Sequence, residues 1–479
     1  MTWNLENTYQ QLPEALFSTI HPTPVKSPQL IVLNHSLAKE LGLDLEKYDT
    51  ATLSAVFSGN QLPTDAKPMA QAYAGHQFGQ FTMLGDGRAI LLGEQVTPEG
   101  KRFDIQLKGS GRTPYSRNGD GRAHLSAMLR EYLISEAMHY LGIPTSRSLA
   151  VVVTGEPVYR EVIRAGAILT RVAESHIRVG TFEYARNFHN GQYLKDLLQY
   201  SIARHYPELD ETENKALAFF EAVMDKQLDL ITDWMRVGFI HGVMNTDNMS
   251  IPGETIDYGP CAFMNSYDPM TVFSSIDTQG RYAYGNQPFI AHWNLGCLAS
   301  ALLPEIAPVT EDALKIARES ISRFPKDYES KWLEMMGRKL GIETTKPSDK
   351  ALIDDLLHWM KNNKADYTNT FLYLRRNEFP KDSIYEKPEF KGWLLLWRDR
   401  ISNNREKAQH LMDANNPAII PRNHLVEEAL DAASIHGDLK PFQELLEVLQ
   451  NPYEDRPGMD KYQEVPGEVD AGYQTFCGT

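Results

Sequence analysis

The 479-residue chain carries 48 Lys/Arg against 63 Asp/Glu, a net charge of −15, with 42% hydrophobic and 23% charged residues. That is enough apolar material for a large core, in two domains or one bilobal unit, and the acidic balance excludes nucleic acid as an expected partner because a phosphate backbone requires a broad basic face. No run of about 18 apolar residues is present, so no membrane span is predicted.

The opening MTWNLENTYQQLPEALF lacks a basic region, an apolar signal core and an Arg-rich transit pattern, which makes the cytoplasm the expected location. Three cysteines, Cys261, Cys297 and Cys477, are too few for a disulfide framework, and no C-x-x-C or Cys/His run has zinc spacing. A monomer is the default expectation.

Residues 1–65, punctuated by Pro13, Pro22, Pro24 and Pro28, read as an irregular extension packed on a core. From Gly75 the texture changes to GHQFGQFTMLGDGRAILLGE, a glycine-rich turn leading into the apolar run Ala89 to Leu92. Phe103 to Lys108 then alternates strictly, with Phe103, Ile105 and Leu107 on one face and Asp104, Gln106 and Lys108 on the other, as in a strand. A second glycine-rich loop, Gly109 to Arg122, leads into a helix predicted from His124 to Leu141, ended by Gly142 and Pro144. A buried strand from Leu149 to Val153 and a β-rich stretch to Val172 complete a small lobe over residues 66–183. Residues 184–450 are mostly amphipathic helix, and 451–479 form a tail.

Between Lys101 and Gly180, twelve Lys/Arg stand against seven Asp/Glu, a locally basic segment in an acidic chain. Arg forks and backbone amides in such a segment suit a small polyphosphate, although a solvated loop would carry the same charges.

Within the helical region stands His241-Gly-Val-Met-Asn-Thr-Asp-Asn248, followed by Asp257-Tyr-Gly259. Protein kinases write their catalytic loop H-R-D-x-x-x-x-N and then D-F-G, with the first Asp as base and the Asn and second Asp on Mg²⁺. Here Asn248 and Asp257 stand at the metal positions, but Val243 occupies that of the base. Nucleotide and metal binding are thus expected, and ordinary phosphoryl transfer is not. Taken singly, N-T-D-N and D-Y-G-P are also ordinary turn chemistry. The order glycine-rich loop, strand Lys, helix Glu, catalytic loop and metal Asp is nevertheless the kinase order. It predicts an α+β, protein-kinase-like bilobal fold, with a β-rich N-lobe holding one key helix, a mostly helical C-lobe, and N- and C-terminal extensions. Lys108 is then the phosphate lysine, oriented by Glu131, with Glu136 second. Five residues apart, these two cannot both face one site.

The strings AYAGHQFGQF, LGDGRA, QLKGSGRTPYSR, GDGRAHLSAMLREYL, HGVMNTDNMS and TIDYGPCAF resemble the selenoprotein O (SelO/YdiU) family of pseudokinases along essentially the whole chain. The resemblance implies a protein nucleotidyltransferase that binds ATP flipped and moves AMP, or UMP from UTP, onto Ser, Thr or Tyr hydroxyls of proteins with Mg²⁺ or Mn²⁺. It implies nucleotide contacts at Gly85, Gly87, Arg88, Lys108, Asp120, Gly121, Arg171, Arg178 and Asp257. It makes Asp247 the general base and puts the metal on Asn248 and Asp257. Cys477 lies where eukaryotic members carry selenocysteine, which implies a redox role; Cys261 is the nearest candidate partner, and Cys297 reads as core. Two other classes stay open: a small-molecule phosphotransferase, against which Val243 speaks, and a non-catalytic nucleotide-binding scaffold.

Overall fold

The computed structural model describes residues 3–188, 191–465 and 472–476. In chain order the first part contains β1 (Leu5–Glu6), β2 (Phe17–Thr19), β3 (Gln29–Leu33), α1 (His35–Glu40), α2 (Thr50–Phe57), β4 (Met69–Gln71), β5 (Ala74–Gln77), β6 (Gln80–Met83), β7 (Ala89–Val96), β8 (Arg102–Lys108), β9 (Ala123–His124), α3 (Leu125–Tyr140), β10 (Arg147–Tyr159) and β11 (Ile163–Ala173). An antiparallel sheet runs β2-β4-β7-β8-β11-β10-β3, with β1 added to β7 and β9 to β11, while β5 and β6 form a separate hairpin.

Strand alternation divides this sheet between two cores. Ile105 and Leu107 of β8 join Leu149, Val152, Ile168 and Val172 on the outer face, where α2 lays down Leu53, Val56 and Phe57. Burying each of these side chains contributes roughly 2 kcal/mol. The opposite face of β8 is also buried, although it is polar: Asp104, Gln106 and Lys108 look toward the second lobe rather than to water. There α3 packs Met128, Leu129, Tyr132 and Leu133 against the sheet and the helical lobe. The His124 ring accepts from the Ala127 N–H and caps this helix at the predicted start.

Residues 3–65 are more regular than the expectation for 1–65. β3 pairs with β10 from Gln29↔Val153 to Leu33↔Ala150, and β1 pairs with β7. The prolines fall in the connections or, for Pro28, just before β3, so they cost no ladder hydrogen bond and punctuate short elements instead of excluding them.

The helical lobe follows with α4 (Val179–Asn187), α5 (Leu194–His205), α6 (Lys215–Val237), β12 (Phe239–Ile240), β13 (Ala262–Phe263), α7 (Gln287–Ile306), α8 (Thr310–Ile321), α9 (Phe324–Lys339), α10 (Asp349–Asn363), α11 (Tyr367–Arg376), α12 (Pro388–Arg400), α13 (Arg405–Asn415), α14 (Asn423–Ile435), α15 (Lys440–Leu449) and α16 (Asp460–Gln463). Its axis is α6, capped by Asn214, which accepts from the Leu217 N–H, and ended by Gly238 at φ +74°, a left-handed C-cap. That turn delivers the chain into β12, whose two-residue ladder with β13 closes the base of the loop 241–261. The result is the expected two-lobed, kinase-like α+β arrangement. Among the described residues no helix is long and apolar enough to cross a membrane.

Candidate active site

A cleft of about 670 Å³ opens between the lobes. Gly85, Gly87, Arg88, Lys108, Asp120, Gly121, Arg171, Arg178, Asp247, Asn248 and Asp257 all line it, as does Val243. They come from β8, β11, the N-cap of α4, the glycine-rich loops before β7 and after β8, and the loop 241–261. No other arrangement of the chain was needed to bring the predicted set together: the sheet register puts Lys108 opposite Leu169 and Gln106 opposite Arg171, on the face that looks into the cleft.

Three cations converge on two carboxylates at its floor. Lys108 Nζ lies 2.6 Å from Glu131 Oε2 and 2.8 Å from Asp257 Oδ1. Arg171 Nη1 donates to Asp257 Oδ1 at 2.6 Å and reaches Glu131 Oε1 at 3.3 Å, while its Nη2 is held by Gln106 Oε1 at 2.6 Å. Arg178 Nη1 donates to Asp257 Oδ2 and to the Asp247 carbonyl, each at 2.6 Å. Burial alone would push Asp257 up, but Arg171, Lys108 and Arg178 outweigh it and hold this carboxyl well below the usual range. Asp257 also sits at φ +65°, a left-handed backbone that costs on the order of 1 kcal/mol and that the three ion pairs keep in place. Of the two candidate acids on α3, Glu131 meets Lys108. Glu136 is turned away, pairing with Arg147 at 2.8 and 2.7 Å and accepting from Asn34 at 2.8 Å.

His241 braces the loop. Its Nε2–H donates to the Ile256 carbonyl at 2.9 Å, its backbone N–H donates to Gln287 Oε1 at 3.0 Å, and its ring stacks on Trp234. This ties the start of the loop to the residue before Asp257. Asn248 Nδ2 donates to the Val243 carbonyl at 2.9 Å, which leaves its Oδ1 as the outward acceptor. With the Asp257 carboxylate, that is a pair of hard oxygen donors in one cleft, a set that fits Mg²⁺ or Mn²⁺. Asp247 is 8% exposed, and its Oδ1 accepts no hydrogen bond among the described residues. Burial pushes its carboxyl up to about 6, against the pull of Arg178 and aided by the charge of Asp257.

Other predicted positions divide. The Asp120 carboxylate accepts a fork from Arg160 at 2.8 and 3.0 Å, and these bonds lower its pKa. Cys477 lies outside the described residues. Cys261 is a buried free thiol, and Thr475 Oγ1 donates to the Pro260 carbonyl at 2.7 Å, so the segment 472–476 rests on the loop after Asp257. Cys297 is half-buried rather than sealed in the core, because the face of α7 that carries it is turned toward β5.

Several cleft residues were not singled out from the sequence. Asp86, between the two predicted glycines, is 2% exposed and accepts from the Gln71 N–H at 3.1 Å and from Gln106 Nε2 at 3.2 Å. Burial pushes its carboxyl up to about 6. Tyr73 lies under the Arg178 guanidinium, 4.7 Å from ring centroid to Cζ. The β5–β6 hairpin docks on the loop: the His76 N–H donates to Thr246 Oγ1 at 2.7 Å and the Phe78 N–H to Asn245 Oδ1 at 3.0 Å. Their only sequence signal was membership of the glycine-rich strings, which names no partner.

A family model described as "Protein adenylyltransferase SelO" matches residues 1–450. Curated relatives named "Protein nucleotidyltransferase YdiU", from Bacillus thuringiensis subsp. konkukian (strain 97-27) and Bacillus cereus (strain AH820), are each 56% identical over 480 residues, covering 100% of this chain and 98% of their own length. Among solved structures, "ROP2 from Toxoplasma gondii: A virulence factor with a protein-kinase fold and no enzymatic activity" aligns over 70% of this chain and 87% of its own, at 12% identity and a TM-score of 0.24. A match of this identity that runs the length of both chains, together with a family model spanning both lobes, leads to one assignment: the chain belongs to the protein adenylyltransferase SelO family.

Proposed function

We propose that the protein transfers AMP from ATP to Ser, Thr or Tyr hydroxyls of protein substrates, with UTP as a second donor and Mg²⁺ or Mn²⁺ as the metal. The observation that carries this is the pairing of an apolar Val243 at the kinase base position with a buried Asp247 carboxylate whose Oδ1 has no hydrogen-bond partner among the described residues. A base four residues along the loop suits an acceptor that attacks a different phosphorus from the one a kinase presents.

In this mechanism the acceptor hydroxyl oxygen bonds to the α-phosphorus, the bond from that phosphorus to the bridging oxygen of the β-phosphate breaks, and pyrophosphate leaves. Asp247 orients the hydroxyl and takes its proton. Lys108, Arg171 and Arg178 neutralise the charge that gathers on the phosphate oxygens, fixed in advance so that little reorganisation is needed. Glu131 keeps Lys108 aimed. Gly85, Gly87, Arg88, Asp120 and Gly121 contact the nucleotide along the glycine-rich wall. Asn248 and Asp257 would hold the divalent ion, which supplies positive charge to the polyphosphate.

The test is incubation with a generic protein acceptor, Mg²⁺ or Mn²⁺, and ATP labelled at the α or the γ phosphate, beside α-labelled UTP and an Asp257→Ala control. Label entering protein only from the α position, and lost in the control, is the expected result. Label from γ would make the protein a phosphotransferase, and bound nucleotide with no label from either position would make it a non-catalytic scaffold.

A further inference from the structure

Beside the cleft, three side chains of metal-ligand type meet from three separate elements: His76 on β5, Glu183 on α4 and Cys297 on α7. One ligand atom from each lies within 4.8 Å of the other two. His76 Nδ1 and Glu183 Oε1 share a short hydrogen bond, and Glu183 Oε2 accepts from Thr246 Oγ1. Glu183 is 3% exposed, whereas His76 and Cys297 are only half-buried, so the cluster has a closed side and a side open to solvent.

We propose that His76, Glu183 and Cys297 form a second cation site, for a thiophilic divalent ion of the Zn²⁺ class, which clamps the β5–β6 hairpin onto the helical lobe. The donor set decides the class of ion. One imidazole nitrogen, one carboxylate oxygen and one thiolate sulfur suit a four-coordinate ion with water in the open position, whereas Mg²⁺ takes octahedral oxygen. Ligand atoms in such a site stand about 3.5 Å apart, so Cys297 need close by only about 1 Å while Nδ1 and Oε1, now in hydrogen-bond contact, open by about as much, both within reach of side-chain rotation. The ion enters between Nδ1 and Oε1; the proton they share and the Cys297 thiol proton both pass to water, and the imidazole binds through Nδ1 with its N–H on Nε2. Without an ion, burial and the neighbouring Glu183 push the Cys297 thiol up to about 12, so the empty cluster keeps a neutral thiol.

The position gives the clamp a consequence. Thr246, bound to both Glu183 and the His76 N–H, precedes Asp247 in the chain, and Gln77 and Phe78 of the same hairpin line the cleft. An ion here would hold the hairpin against the loop that carries Asp247.

The site is tested without any measure of catalysis, so its failure and that of the transfer reaction are separable. Full-length protein stripped with chelator is titrated with Co²⁺ in excess Mg²⁺, and thiolate-to-Co²⁺ charge-transfer absorption is recorded. A band saturating at one ion per chain, quenched by Zn²⁺, abolished in Cys297→Ser, requiring roughly tenfold more Co²⁺ in His76→Gln and unchanged in Asp257→Ala is expected. Zn²⁺ should also raise the melting temperature of the wild type by a few degrees, but not that of Cys297→Ser. Absence of the band, or its persistence in Cys297→Ser, would overturn the site and leave a plain His–Glu hydrogen bond beside an inert thiol.

Discussion

At the scale of the residue, the two acids of the loop 241–261 are driven in opposite directions by what surrounds them. Asp257 is held ionised by three cations, whereas Asp247, buried with only partial compensation, is pushed up to about 6. On the proposed role of Asp247 as base, kcat/KM should fall about tenfold per pH unit below about 6 and level off above it, because only the ionised form accepts a proton. Asp247→Asn should lower transfer by about 10²-fold or more and remove that acid limb, while nucleotide affinity measured by titration stays within a few-fold of wild type. A variant with normal turnover, or an unchanged acid limb, would take Asp247 out of the role. Loop spacing pointed only to Asn248 and Asp257, and the role of Asp247 came from the family resemblance; its unusual ionisation was legible in neither, since burial is a property of the packed molecule.

At the scale of the element, α3 shows how one helix serves two ends. Glu131 and Glu136 both lie 2% exposed, but they emerge on different sides and meet different cations. Glu131→Gln should therefore weaken transfer with little change in folding, because Lys108 still has Asp257 as a partner. Glu136→Ala should cost about 3 kcal/mol of stability in denaturant titration, since it leaves the buried Arg147 with only its longer, solvent-exposed contact to Glu40 at 3.6 Å, while leaving transfer per folded molecule near wild type. The hairpin β5–β6 makes a sharper case. A Cβ added at Gly75 would stand 2.4 Å from Asp247 Oδ1 and 3.0 Å from Asp247 Cβ. Gly75→Ala should thus displace the carboxylate and reduce transfer at least about tenfold, with the circular dichroism spectrum and the melting temperature little altered. Unaltered transfer would mean that the loop and hairpin move apart more readily than this packing implies. Nothing in AYAGHQFGQF named Asp247 as its neighbour, because the contact joins positions 172 residues apart.

At the scale of the whole molecule, buried charge links the two lobes. Asp104 on β8 accepts from the His176 N–H at 2.8 Å and from Arg204 on α5 at 2.7 Å, and the Arg171, Arg178 and Lys108 cluster spans the cleft to Asp257. Such groups make stability depend on pH, with a sign set by each shift. Asp86, pushed up to about 6 from an unfolded value near 4, favours the fold in its protonated form. Its contribution is fully present below about pH 4 and is lost as pH rises through about 6. Asp86→Asn should accordingly gain on the wild type by up to about 3 kcal/mol between pH 4 and 7 in denaturant unfolding. A difference that stays constant across this range would show that Asp86 is ionised at no cost. Asp104 behaves the opposite way: Arg204 and His176 overcome its burial and hold it at about 2, so its contribution is present above about pH 4 and lost below about 2.

Legible in the unfolded chain are the order of the kinase-like elements, the strand that carries Lys108, the helix that carries Glu131, and the loop that carries Asp247, Asn248 and Asp257. Each of these rests on local spacing, of two for a strand, 3.6 for a helix and fixed offsets for a loop, and local spacing is written in the chain. Only in the folded molecule do residues 3–65 lend strands to the sheet and helices to its outer face. Tertiary structure also decided that Arg171 and Arg178 share Asp257 with Lys108, that Asp86 lies buried beneath the glycine-rich turn, and that His76, Glu183 and Cys297 meet. Those facts depend on which distant segments come into contact, and on the dielectric that their packing creates. Neither quantity has a period, so neither could be read before the chain was folded.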